Sequence, residues 1–360
     1  MPLVANTGLP SFERLRADGE TVIDRQRAER QDIRELHIGL LNMMPDKALE
    51  ATERQFFRLV GESNQIAQFY MHPFTLPELE RSAEARRHVQ RFYSSFADLR
   101  REGLDALIIT GANVTEPELS SEPFWGPLID VVDWAGEHVT SILCSCLATH
   151  AILEFRHSQK RRRLPGKRWG VYPHRVTDRC HPLVRGVNTR FDVPHSRFNQ
   201  VDRAQFDKAG LRVLAESDEA GVHLATSADG LRFVFFQGHP EYDVISLLKE
   251  YKREVGRFID GALTDYPPLP ANYLGRRHAA ILEEYRDRVC AAVAARAPAP
   301  EFPEHLIAPG LDNTWHDSAE AIINNWIGAV YQLTHLDRRI PFREGVEPAN
   351  PLGLADVGGR

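Results

Sequence analysis

Four short, almost wholly apolar runs recur along the chain, each long enough for one buried strand. They are LHIGLLNMM from Leu36, LDALIITG over 104–111, VTSILCS over 139–145 and RFVFFQG over 232–238. Continuous runs of this kind are what a parallel sheet buries on both faces. Between them lie segments of helical character. DKALEATERQFFRLVG follows Pro45, with Asp46 as N-cap, Leu49, Phe56 and Val60 on one face, and Gly61 as the stop. FWGPLIDVVDWAGEH leads into the third run and LATHAILEFRH leaves it. The strand–helix rhythm predicts an α/β fold built on a doubly wound, mostly parallel sheet. Such sheets bind ligands at the carboxyl ends of their strands, where Gly111 and Cys146 fall.

The rest of the chain divides around this block. Residues 1–35 are polar and read as a surface arm, and 36–273 as the α/β domain. Within it, LRVLAES and GVHLATS read as a hairpin, and DVISLLKEYKREVGRFIDG as a helix after GHPEY. Residues 274–314 form a charged helix and a Pro-rich insert, and 315–360 a docking helix and tail. In that helix Ile322, Trp326, Val330 and Leu333 fall in register, a face for the core or for a second subunit, and a homodimer is expected. Among 360 residues, 44 Lys+Arg against 50 Asp+Glu leave a charge of −6, which argues against a nucleic-acid binder. No apolar run reaches membrane-spanning length, and MPLVANTGLPSFERLRADGE lacks the apolar core of a secretory signal. Four cysteines do not make a disulfide scaffold. The expectation is a cytoplasmic protein.

Three constellations can carry chemistry. Cys146 stands at a strand-to-helix junction, the geometry of a nucleophile elbow, where the N–H of Leu147 can face an oxyanion. A helix N-terminus also favours a thiolate. Cys144, two residues earlier, reads as a packed core thiol. The second constellation is His239 with Glu241 in FVFFQGHPEYD, after another buried strand. There the carboxylate could hold the imidazole in one tautomer, completing a Cys-His-Glu triad. The third is KRRRLPGKRWG, with six basic residues in nine positions, which could grip the phosphates of a coenzyme A nucleotide or form a solvated face. Lys167, beside Pro165-Gly166, is its member best placed to point inward. Ser196 in PHSR could donate to a substrate, and Arg253 could clamp a carboxylate. No clustered ligand set for a metal is visible.

Together these stretches resemble the homoserine O-acyltransferases of methionine biosynthesis, which carry a flavodoxin-like, class I glutamine-amidotransferase-like fold. The resemblance rests on LNMMPDKALEATERQFFRL, ALIITGANV, HVTSILCSCLATHAIL, KRWGVYPH, VPHSR, EAGVHL, GHPEYD, EYKRE and NNWIGAVYQLT. It runs from about Leu36 to Tyr273 and resumes near Trp326, leaving residues 1–35 and 274–314 outside. It implies Cys146 as the acyl-accepting nucleophile, His239 as proton acceptor and Glu241 as the third catalytic residue. Lys167, Ser196 and Arg253 match substrate-binding positions. The co-substrates implied are an acyl-CoA and L-homoserine, with no further cofactor.

In that family a position in the loop after ALIITGA helps select the acyl group, Glu going with acetyl and Gly with succinyl. Here it is Thr115. Threonine does not repel a free carboxylate and its hydroxyl could donate to one, so succinyl-CoA is expected over acetyl-CoA. After the nucleophile, Leu147-Ala148-Thr149-His150 departs from the usual pattern and is expected to alter the pocket wall, leaving serine open as acceptor. A glutamine amidotransferase would use the same triad, but it normally has glycines around the cysteine, where this chain has Ser145 and Leu147.

Overall fold

The computed structural model describes residues 3–63 and 67–354. Its eleven strands are β1 (Leu3–Ala5), β2 (Val22–Asp24), β3 (Glu35–Leu41), β4 (Gln68–Phe74), β5 (Ala106–Ile109), β6 (Ser141–Ser145), β7 (Arg162–Val176), β8 (Arg190–Gln200), β9 (Arg212–Ser217), β10 (Gly221–Thr226) and β11 (Phe233–Phe236). They form one sheet in the order β2-β1-β4-β3-β5-β6-β11-β10-β9-β7-β8. From β2 to β11 every pairing is parallel, and from β11 to β8 every pairing is antiparallel. The four apolar runs supply β3, β5, β6 and β11, which lie side by side at the middle of the whole sheet.

Period-two alternation divides their side chains between two cores. Ile108, Leu143, Val234 and Phe236 join one with Phe56, Phe57 and Trp326, from the helices Asp46–Ser63 and His316–Leu333. Ile109, Ile142, Cys144 and Phe235 join the other, under the helices Trp125–His138 and Leu147–His157. Helices on both faces are the doubly wound arrangement that the alternating pattern predicts.

Four departures from the sequence reading have physical causes. Residues 3–34 are not a surface arm. β1 pairs with β4 and β2, and the helix Pro10–Ala17 buries Phe12 and Leu15 after the buried Leu9. Three-residue strands are too short to display alternation. The helix from Asp46 does not stop at Gly61 but runs to Ser63, because Gly61 faces the Leu3 side chain and leaves room for it. The basic run does not stand apart as a loop: from Arg162 it is the start of β7, with a register shift between Arg163 and Arg168. Finally, the segment 274–314 has a packing role. Leu282, Tyr285 and Val289 of the helix Arg276–Ala294 meet Leu248 and Tyr251 of the helix Ser246–Ile259 and Trp169 of β7. Next to that cluster, Ala271 exchanges backbone bonds with Trp169 and Val171 around Gly170, whose φ of 144° and close approach to the Ala271 backbone leave no space for a Cβ.

The face of the last helix is spent within the chain. Ile322, Trp326 and Val330 are buried in the first core, and Trp326 Nε1 donates to Ser141 Oγ at 2.7 Å. The apolar stripe that suggested a second subunit therefore provides no ground for a dimer. No helix among the described residues is long and apolar enough to cross a membrane. Trp326→Ala should cost roughly 3–5 kcal/mol of stability by leaving a cavity against β6, and Trp326→Phe much less. Urea unfolding of the two variants measures the difference.

Candidate active site

The parallel pairing of β6 with β11 places Ser145 beside Phe236. The residues that leave these strands are Cys146 on one side and Gln237-Gly238-His239 on the other. Both chains thus emerge at one carboxyl edge. Gly111, which follows β5, completes the rim, and a Cβ on it would lie 3.8 Å from Cys146 Cβ and 4.0 Å from the Leu147 nitrogen.

Cys146 sits at φ 52°, ψ −106°, a conformation that side-chain-bearing residues rarely adopt. It is the residue before the helix Leu147–His157, so the Leu147 N–H belongs to the first turn and has no intrahelical acceptor. The bend is held from below. Cys146 N–H donates to Phe236 O at 2.8 Å, and Thr149 Oγ1 donates within reach of both Cys144 O (2.8 Å) and Phe236 O (2.9 Å). His150 Nε2 meets Gln237 Oε1 at 3.0 Å, and Gln237 Nε2 donates to Val201 O and Val222 O. Thr149 and His150 are fully buried in this network. They tie the nucleophile's helix to β11 and do not form the pocket wall expected of them.

His239 is 8% exposed and its Nδ1 lies 2.8 Å from Glu241 Oε1. Its N–H donates to Pro194 O, and its ring stacks on Tyr242 with centroids 4.3 Å apart. Burial works against a charged imidazole. The Glu241 carboxylate and the neighbouring Cys146 thiol outweigh it and raise His239 well above its usual range. The arrangement can therefore hold a thiolate beside an imidazolium. Cys144 is fully buried, and burial pushes its thiol up, which suits a core residue.

Lys167 and Ser196 converge on a residue that sequence reasoning missed. Glu250 Oε2 accepts from Ser196 Oγ at 2.6 Å and lies 3.0 Å from Lys167 Nζ, while Oε1 accepts from Tyr242 OH at 2.7 Å. Burial would raise this carboxyl, but the Lys167 ammonium and these hydrogen bonds hold it below its ordinary value. Tyr242 touches both His239 and Glu250, so the cluster is continuous with the triad. The signal available in the sequence was helical spacing: Glu250 lies three residues before Arg253 on the same face. Arg253 itself is not in the cluster. Its guanidinium is exposed and pairs with Glu254 at 3.3 Å. Thr115 is also exposed. Its N–H donates to Glu122 Oε1 at 2.6 Å, and its hydroxyl lies 3.4 Å from Glu122 Oε2. A second missed residue is Arg197, buried beside the site; burial lowers its guanidinium to about 10, against a smaller opposing pull from the Cys146 thiol.

A strained cysteine at a helix N-terminus, a buried imidazole oriented by a carboxylate and a polar pocket beside them are the groups that a thiol-dependent acyl transfer on an α/β sheet would need. The model of the family described as homoserine O-succinyltransferase matches residues 2–336. The homoserine O-succinyltransferase of Nitrosococcus oceani is 67% identical over 98% of this chain and 99% of its own. That of Allochromatium vinosum is 66% identical over the same shares. The chain belongs to the homoserine O-succinyltransferase family. The family match includes residues 2–35 and 274–314, which the sequence resemblance had left outside. Among solved structures, a glutamine amidotransferase of Thermotoga maritima is similar with a TM-score of 0.42 and 11% identity, covering 84% of this chain and 99% of that one.

Two measurements follow from the electrostatics. A histidine NMR titration should place His239 above the ordinary imidazole value near 6.5, and Glu241→Gln should lower it by removing the charge that supports the imidazolium. The buried His150 and His174 behave oppositely, because burial lowers them to about 3 and about 4. The folded chain then binds fewer protons than the unfolded one below pH about 6.5, so this stability is full above that value and is lost as pH falls toward 4. Urea midpoints at pH 7.5 and 5.0 should differ in that direction, and equal midpoints would contradict it.

Proposed function

We propose that this chain transfers a succinyl group from succinyl-CoA to the hydroxyl of L-homoserine through an acyl-thioester on Cys146, within cytoplasmic methionine biosynthesis. Membership of the succinyltransferase family supports donor and acceptor, and neither acetyl-CoA, serine nor glutaminase chemistry is favoured. The observation that carries the mechanism is the buried His239–Glu241 pair beside the strained Cys146.

In the first half-reaction the Cys146 thiolate attacks the acyl-CoA thioester. The tetrahedral oxyanion forms against the Leu147 N–H, a fixed donor that needs no reorganisation. Collapse expels the CoA thiolate, which takes the proton from His239. Exchange between thioesters is close to isoenergetic, so the stored acyl group stays reactive toward an alcohol. In the second half, the homoserine hydroxyl gives its proton to His239 and attacks the Cys146 thioester. The ester leaves with the succinyl group, and the thiolate and imidazolium are restored. Glu241 holds the ring so that one nitrogen serves both transfers.

Lys167, Ser196 and Arg253 act as the substrate contacts in this reading, around Glu250. Arg253 reaches a homoserine carboxylate by giving up its exposed pair with Glu254, an interaction worth at most about 1 kcal/mol. The reaction so written calls on no cofactor beyond the acyl-CoA co-substrate.

Intact-protein mass spectrometry after mixing with succinyl-CoA tests the reading. A succinyl adduct should appear, be absent from Cys146→Ala, and be discharged by homoserine. An acetyl adduct in its place would reassign the donor, and no adduct on the folded protein would end the acyl-thioester mechanism.

A further inference from the structure

A succinyl group brings a second carboxylate into the site. Along a four-carbon chain, that carboxylate lies roughly 5–6 Å from the thioester sulfur at about 1.5 Å per C–C bond. Leaving it unpaired in a partly desolvated pocket is unfavourable. Thr115, the residue expected to donate to it, turns its hydroxyl and N–H toward Glu122. Glu122 is buried and also accepts from the Glu116 N–H, so this carboxylate is occupied in holding the loop.

The cations near the nucleophile differ in whether they are free. Lys167 is paired with Glu250. Arg197 is buried, and its guanidinium is fully engaged with His195, Asn199 O, Gln200 and Ala220 O. Arg161 is different. Half-buried just before β7, it makes no hydrogen bond or ion pair with any described residue, although both its neighbours are paired. Lys160 Nζ lies 2.5 Å from Glu118 Oε2, and Arg162 Nη2 donates to Asp202 Oδ1 at 2.9 Å. The Lys160–Glu118 contact sets this segment against the loop that carries Thr115 and Glu122. Burial works against the Arg161 charge, and Glu154, Glu122 and Cys146, in that order, support it.

We propose that Arg161 receives the free carboxylate of the succinyl group while Cys146 carries it, and so selects a dicarboxylic acyl donor. This rests on Cys146 being the acyl carrier. A guanidinium binds a carboxylate through two parallel N–H bonds, and no protein carboxylate has to be displaced to make them. A chain ending in a methyl group gains nothing from the same guanidinium, which stays hydrated. Selectivity is then the difference between a paired and an unpaired terminal group. Thr115 contributes by holding Glu122 away from the acyl chain.

The test is single-turnover acylation of Cys146 by succinyl-CoA and by butyryl-CoA, its isostere without the second carboxylate, followed by mass spectrometry. Arg161→Gln should lower kcat/KM for succinyl-CoA on the order of a hundredfold and change butyryl-CoA less than about threefold. Arg161→Lys should recover part of the succinyl rate. The ratio of the two donors within one variant is unaffected by how much of that protein is folded. An equal loss with both donors would mean that Arg161 acts on the thiolate, and it would overturn the proposal, as would an unchanged ratio. A wild-type protein with no adduct on Cys146 overturns the carrier reading as well. A normal wild-type adduct with an unchanged ratio in Arg161→Gln removes only the role of Arg161.

Discussion

The site depends on one backbone event, the parallel pairing of β6 with β11. Because Ser145 and Phe236 stand side by side at the last rung, the chains leaving them are held next to each other at the sheet edge. One turns into a helix at once, and the other runs on through Gln237 and Gly238 to His239. A positive φ at Cys146 costs on the order of 1–3 kcal/mol, so it persists only where its surroundings over-determine it. The carbonyl of Phe236 does much of this, accepting from Cys146 N–H and lying within reach of Thr149 Oγ1. The strand that leads to His239 thereby also fixes the bend at Cys146.

The polar groups around that edge form a connected set. Glu241 orients His239, His239 stacks on Tyr242, and Tyr242 donates to Glu250, which also takes Ser196 and Lys167. In a low-dielectric pocket each of these groups would be costly alone, and each is stabilised by its neighbour. Changing any member leaves a buried partner unmatched, so effects of substitution within the set should not add. Charge also differs across the set: Glu241 keeps a positive imidazole beside the sulfur, whereas Glu250 is neutralised by Lys167. The first carboxylate favours thiolate chemistry, and the second offers a polar pocket without adding a free negative charge next to it.

Much of this was legible in the chain because the parallel strands are local and fully apolar. LDALIITG, VTSILCS and RFVFFQG announce both their burial and their ends, and catalytic residues of doubly wound sheets sit at those ends. Cys146, His239 and Glu241 stand out as candidates for that reason. What escaped depended on partners distant in sequence. Glu250, on a helix, has meaning only beside Lys167 and Ser196, from the strands β7 and β8. Thr149 and His150 resembled pocket residues, yet Phe236 and Gln237, some 87 positions away, turn them inward. The strands Leu3–Ala5 and Val22–Asp24 carry too few residues for any period to show, and their place is set by β4. The basic run was misleading for another reason: between 162 and 168 Leu164 is the one buried side chain, so charges on the exposed rungs conceal the first half of β7.

The segment 274–314 shows how a site can depend on residues that never approach it. Glu250 and Arg253 project from the helix Ser246–Ile259, which is amphipathic and could not hold its position on its polar face alone. Its apolar face carries Leu247, Leu248, Tyr251 and Val255, buried with Tyr285 and Val289 of the following helix and with Trp169 of β7. Trp315 Nε1 donates to Tyr242 O, and Tyr273 OH donates to Val244 O, which fixes the loop between His239 and the helix. Trp169 belongs to the strand that supplies Lys167, and the Lys167 ammonium lies 4.1 Å over its ring. One apolar cluster therefore sets the distance between Lys167 and Glu250 from behind. The insert supplies the rigidity, which is a physical reason for a chain of this size to spend some forty residues away from the chemistry.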